Sequence, residues 1–357
     1  MSAMYFAQTL LVFWIFKNGF GFSDLIIFYL ISYVVALFFI FLFPHYKFKS
    51  KNSILYGAIF SAFSVLVLIK IFNPTQLYLS AIFSGLNIIF FWIPYNIMHF
   101  KYSDEEKRGR HSGIYFLATP IIGITLQPLT GIVAEKFGFE VMFLIGILLY
   151  SVPIFLIRYL PQFEWDLNIK KEFLALKFNF STFFQGITSR VSWTLIPIFT
   201  LFFIKTPSQF GRFFGYLALV TAIASVINGH ISDKMKNRRY FFYFFSSLAV
   251  LSFLPLAFVE NSYCWGIFAG ISSLCLSLAN PSWLTFNLDY YKELGVEKSI
   301  VLREVFLNLG YFFNLFLVSL IFYFTSSTKI SLLVISILCC LLPVVSYLQG
   351  VYHAKIN

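Results

Sequence analysis

Twelve apolar runs separated by short polar links constrain this chain more than any other feature. They fall at about 3–16, 25–43, 54–72, 76–98, 112–133, 141–160, 178–204, 208–228, 240–259, 263–288, 301–325 and 330–350. A helix needs ~20 residues to cross ~30 Å of hydrocarbon, and every run but the first approaches or exceeds that length. The first carries no basic leader and no small-residue cleavage site, so it does not read as a signal peptide. It reads as the second half of a first helix. Charged residues make up 11% of the 357, where soluble domains carry ~25%. A water-exposed fold could not hide this much apolar surface. The expected class is an all-α integral membrane protein with twelve transmembrane helices, the first of them short.

The net charge of +11 is then loop bias. A nucleic-acid partner would need basic residues gathered on an exposed domain, and no stretch of the chain offers one. Counted by link, with bases near a run's end assigned to the adjoining link, 19 Lys and Arg fall in the even links and the C-terminal tail, 6 in the odd links, and Arg190 is left over mid-run. Basic residues stay on the cytoplasmic side, so both termini are expected there. The longest link, 161–177, sits at the chain midpoint and is cytoplasmic by the same count. It divides the chain into two pseudo-symmetric six-helix bundles, 1–160 and 178–357. Repeated halves suit a solute carrier, because two similar bundles can rock about a shared midplane site. A repeat supports the division: Trp92-Ile93-Pro94-Tyr95-Asn96 in run 4 and Trp283-Leu284-Thr285-Phe286-Asn287 in run 10 both read Trp-x-x-aromatic-Asn. The four cysteines, Cys264, Cys275, Cys339 and Cys340, lack metal or CxxC spacing. No cofactor, no metal site and no catalytic residue is expected, and no P-loop for ATP is present.

Between runs 8 and 9 the chain reads Gly229-His-Ile-Ser-Asp233-Lys234-Met-Lys236-Asn-Arg238-Arg239. A glycine, an acid four residues on, a base beside it and a closing basic pair resemble the signature loop of the major facilitator superfamily. Lys236 stands where that signature usually has a second glycine. In run 5, Gly123-Ile-Thr-Leu-Gln127-Pro128-Leu-Thr-Gly131 resembles the same family's Gly-x-x-x-Gly-Pro-x-x-Gly segment, with Gln127 replacing the central glycine. The link from Glu135 to Glu140 looks like the family's outer link there. The resemblance implies a secondary transporter of a small solute working by alternating access in the cytoplasmic membrane, expected to be a monomer. The run 5 segment marks exporters in that family, so efflux by an antiporter is slightly favoured over import of a sugar or metabolite. By resemblance, Asp233 is a gate element meeting Arg108 and Arg110 at the start of run 5. The symmetric 2–3 link (His45, Lys47, Lys49, Lys51) lacks the acid, and Glu304 at the start of run 11 is its expected counterpart with the polarity exchanged.

Arg190 is the most informative single residue. A charge within a span costs ~2.5–3.5 kcal/mol on insertion scales, so it should face a wet cavity or a partner. It could anchor an anionic or polyhydroxylated solute, or be a structural charge held by neighbouring carbonyls and hydroxyls. Gln185, Asn96, Trp92, Trp283, Asn287, Asn308, Tyr311 and Asn314 complete the candidate cavity; interhelical packing is the other use of such residues. Proton coupling would need a carboxylate within the membrane. Asp24 and Asp289, near span ends, are the candidates, and a facilitator remains an alternative. A membrane-embedded enzyme acting on lipid-linked substrates would want an acid–histidine cluster at a membrane face. The nearest, His99 with Asp104, Glu105 and Glu106, reads as a solvated loop. A non-transporting relative is the other alternative.

Overall fold

The computed structural model describes residues 2–102, 108–169, 179–232, 238–290 and 294–356. Run 1 is two short helices, α1 (Ser2–Gln8) and α2 (Leu11–Lys17). Run 2 is α3 (Phe22–Leu42), and a short strand, β1 (Lys47–Lys49), leads into run 3, α4 (Ser50–Val67). Run 4 is α5 (Pro74–Asn87) and α6 (Ile93–Lys101), joined by a π-helical turn, Ile88–Trp92. Runs 5 and 6 are α7 (Arg108–Phe137) and α8 (Phe139–Leu156). The long link holds β2 (Glu164–Asp166).

Run 7 is α9 (Phe180–Arg190) and α10 (Ile196–Phe203), joined by a second π-helical turn, Val191–Leu195. Runs 8 to 11 are α11 (Pro207–Ser232), α12 (Arg238–Phe253), α13 (Ser262–Tyr290) and α14 (Gly295–Thr325). Run 12 is α15 (Thr328–Cys339) and α16 (Leu341–Ile356). Run 11 starts earlier than its hydropathy suggests, because Gly295 takes φ +78° and the polar residues Glu297 and Lys298 are already helical.

Among the described residues, ten helices or continuous helical stretches are long and apolar enough to cross a bilayer. Two shorter apolar ones, Ala3–Lys17 and Phe242–Phe258, accompany them. Large apolar side chains such as Phe38, Leu148, Phe155 and Phe244 face outward, as expected of a protein solvated by lipid tails. Run 7 is the most enclosed span at 61% buried, against 28% for run 6, which puts α9 and α10 near the middle of the molecule.

Local signals set the helix ends. Asn73 accepts from Gln76 N at 3.1 Å and Pro74 fills the first helical position of α5, where a missing N–H costs nothing. Asn179 caps α9 through Thr182 N at 2.9 Å, and Asp24 caps α3 by accepting from Gly21 N at 2.8 Å. Both π-helical turns precede a proline, Pro94 or Pro197. A proline ring clashes with the carbonyl four residues back, and those carbonyls belong to Phe90 and Trp193, inside the widened turns.

The residues before the long link and those after it meet along two seams, α7 against α11 and α3 against α14. On the α7–α11 seam, glycines bring the two backbones close. A Cβ added at Gly131 would lie 3.0 Å from Ser208 Cα, and one at Gly215 would lie 2.6 Å from Pro128 Cγ. Small residues permit such backbone approach between membrane helices. Glu135 Oε2 also accepts from Ser208 N at 2.8 Å, placing an acid at the start of α11, where the helix dipole favours it.

Candidate functional site

Arg190 closes α9 just before its π-helical turn. Turns of this kind are frequent at functional sites. Its guanidinium reaches across to α3 and donates from Nη1 to Tyr33 Oη, with Thr194 Oγ1 at 3.5 Å. The Tyr311 ring from α14 lies 3.8 Å from Cζ and the Tyr33 ring 5.1 Å. The two rings stand 5.3 Å apart. Nε is shut off from solvent and has no partner among the described residues. No carboxylate there forms an ion pair with this guanidinium either. A positive charge is thus held at the α3–α14 seam by phenol rings and hydroxyls, with the Glu304 carboxylate in electrostatic reach but not ion-paired to it.

One layer along α14 lies a second polar group. Glu304 is buried and lies nine residues inside the helix, about 13 Å from its start at 1.5 Å per residue. The helix thus starts at Gly295, before the apolar run, and Glu304 lies where α14 meets α6. Its Oε1 accepts from Arg303 Nη1 at 2.6 Å and from Asn96 Nδ2 of α6 at 3.2 Å. Asn96 and Glu304 therefore join the two sides of the molecule.

The remaining candidates divide by contact. Gln185 is buried on α9. Asn314 Nδ2 donates to Ile187 O at 2.9 Å, tying α14 to α9, and Asn308 Nδ2 donates to Glu304 O at 2.7 Å within its own helix. The Oδ1 atoms of both asparagines are buried without a partner among the described residues. Trp92 packs edge-on against Phe91 and Tyr95 of its own helical stretch. Trp283 is fully buried against Phe242 of α12. Asp24 is occupied as a helix cap. Gln127 is buried beside Gly123 on the α7–α11 seam, with Oε1 unpartnered among the described residues.

Asp233 and Lys234 lie outside the described residues, as do Asp104, Glu105, Glu106 and Lys236 and the side chains of Arg108, Arg110, Gly229, Arg238, Arg239, Asn287 and Asp289. Tyr33 is the contact of Arg190 that sequence reasoning passed over. It sits in an aromatic-rich span, the most hydropathic of the ten, and only the reach of Arg190 across to α3 singles it out.

A family model for the major facilitator superfamily matches residues 178–355. The chain belongs to the major facilitator superfamily. No curated protein matches it. Members of the superfamily are in general secondary transporters, not enzymes, and bind small solutes within the membrane. The many apolar helices agree with a multi-pass membrane protein of this kind.

Proposed function

We propose that this superfamily member moves a small anionic solute across the cytoplasmic membrane by alternating access, with Arg190 as the anchor for the anion. The observation that carries the reading is the guanidinium at the α3–α14 seam, cradled by Tyr33, Tyr311 and Thr194 and paired with no carboxylate among the described residues. A solute carboxylate or phosphate would supply the missing charge, and arginine suits such planar, multidentate recognition. A polyhydroxylated solute is the second reading. The unpartnered Oδ1 atoms of Asn308 and Asn314 favour it, because they could accept hydrogen bonds from hydroxyls.

The proposal takes the twelve runs as twelve spans in two bundles, 1–160 and 178–357, joined by the linker 161–177. The seams and the Trp-x-x-aromatic-Asn repeat support that division. Cytoplasmic termini rest on the charge asymmetry of the links. Export rests on the resemblance of Gly123–Gly131 to the family segment, and a monomer on the absence of any need for a second copy in such a cycle. The test is a thermal-shift screen of purified protein against organic anions, sugars and cationic drugs, wild type beside Arg190→Met. A ligand stabilises the state it binds by mass action. An anion that shifts the wild type and not the variant supports the anchor. Cationic drugs shifting both equally would overturn it.

A further inference from the structure

The linker is more than a tether. Its strand β2 pairs antiparallel with β1 of the 2–3 link, in the register Lys47↔Asp166, Phe48↔Trp165 and Lys49↔Glu164. The acids that the 2–3 link lacks are thus supplied by the linker, opposite its lysines. The pairing is well fastened: Ser50 N donates to Phe163 O at 2.9 Å, Phe163 N to Ser50 Oγ at 3.0 Å, and Lys51 Nζ to Arg158 O at 2.8 Å.

Along the strand and just beyond it, Phe163, Trp165, Leu167 and Ile169 are buried, while Glu164, Asp166 and Asn168 are not. Period-two alternation gives the strand one apolar face. That face joins a single core with residues from both sides of the molecule: Ile93, Ile97 and Phe100 of α6, and Ile300, Val301 and Val305 of α14. Trp165 stacks on Phe48 with ring centroids 5.0 Å apart.

One residue touches all three pieces. Lys101, at the end of α6, ion-pairs with Glu297 of α14 at 2.7 Å, and its Nζ also stands 5.0 Å from the centre of the Phe163 ring. A mere surface strap would need neither this clamp nor a buried face turned between α6 and α14.

We propose that residues 163–169 form a gate blade, carried by the N-terminal bundle through the β1–β2 pairing and seated against the first turns of α14 when the cytoplasmic end is closed, with Lys101–Glu297 as its clasp. The proposal rests on the two-bundle transport cycle above. Hydrogen-bonded strands separate less readily than apolar side chains slide from a groove, so opening breaks the blade's contact with α14 and keeps its sheet. The blade's apolar row would then face water, which biases the cycle toward the closed end until a solute-driven rearrangement offsets it.

The test uses the full chain in nanodiscs, with Cys264, Cys275, Cys339 and Cys340 replaced by serine or alanine and folding checked by thermal unfolding. A Leu167→Cys reporter is fully buried at its starting position and should react slowly with a hydrophilic maleimide. Lys101→Glu, which sets two acids against each other, should raise that labelling rate at least tenfold, as should Glu297→Lys. The double exchange Lys101→Glu/Glu297→Lys restores the pair and should return the slow rate. A separate Lys49→Cys/Glu164→Cys pair should form its disulfide in every background, because the sheet stays intact. Rates unmoved by the charge reversals, or fast labelling already with Lys101 in place, overturn the proposal. Loss of the 49–164 disulfide on Lys101→Glu overturns the claim that the N-terminal bundle carries the blade. Labelling needs no solute, so a failed anion screen would sink the transport assignment and leave this result standing.

Discussion

Replacing Arg190 by methionine separates an anchor from a structural post. The change keeps an unbranched side chain of comparable reach and removes the charge. Removing a charge from mid-span recovers about 3 kcal/mol on insertion scales. Against that, the charge-assisted bond to Tyr33 is lost, about 1.5–3 kcal/mol, and so is the cation–π contact with Tyr311 at 3.8 Å, worth about 2 kcal/mol when desolvated. The terms nearly cancel, leaving a destabilisation of about 1 kcal/mol. On the soluble-protein entropy scale a chain of this length then loses only about 1–2 °C in Tm. Saturating anion at about a hundred times Kd adds ~2.7 kcal/mol to the wild type, about 4 °C on the same scale, and should add nothing to the variant. The assay is thermal unfolding of both proteins with and without each compound. A variant that unfolds outright, or loses more than about 4 kcal/mol, would mean that Arg190 holds the seam together. An undiminished anion shift in the variant would place the anchor elsewhere.

Three further outcomes follow from the packing. Gly211→Ala drives a methyl into the Gln127 backbone carbonyl, with Gly131 Cα at 3.1 Å, on the α7–α11 seam and should cost about 1–3 kcal/mol by overpacking; no measurable change in Tm would mean the seam is looser than described. Glu304→Gln leaves Arg303, its partner at 2.6 Å, half-buried without its counter-charge, and should cost about 1–3 kcal/mol. Adding Arg303→Met should recover most of that loss in the same melt, and failure to recover would show that Asn96 is the partner that matters. Tyr150→Phe removes the 2.6 Å hydrogen bond to Ser61 and should cost about 1 kcal/mol. Combined with Ser61→Ala it should cost little more than the worse single change, since the two share one bond.

The spans were legible because lipid imposes length and hydropathy on anything that crosses it, and Arg190 because a charge in such a run needs a reason. The halves of the candidate site were less legible. Asn96, Glu304 and Tyr311 are ordinary residues of their own helices, and the meetings of Asn96 with Glu304 and of Tyr311 with Arg190 depend on how α6, α9 and α14 pack. Hydropathy starts run 11 at 301, whereas the helix begins at Gly295 and carries Glu297 and Lys298 in its first turn. The strand Glu164–Asp166 was hidden by its length. Three residues give too little alternation to distinguish a strand from a polar link, and the partner that fixes it lies more than a hundred residues away.

The Arg190 guanidinium, in no ion pair among the described residues, also has an electrical meaning. Arg190 is the eleventh residue of the 24-residue span Phe180–Phe203, close to half depth. When two bundles open to one side and then the other, the charge itself scarcely moves, but the voltage drop is transferred across it. One elementary charge taken through the whole drop is worth ~2.3 kcal/mol per 100 mV. On the proposed cycle the empty carrier's return is therefore voltage-sensitive, while the carrier loaded with a monoanion is close to electroneutral at that step. An inside-negative membrane draws the empty, positive cavity toward the inside, against the seated linker strand. The resting orientation is then a balance between a field and a latch, and depolarisation alone should move it.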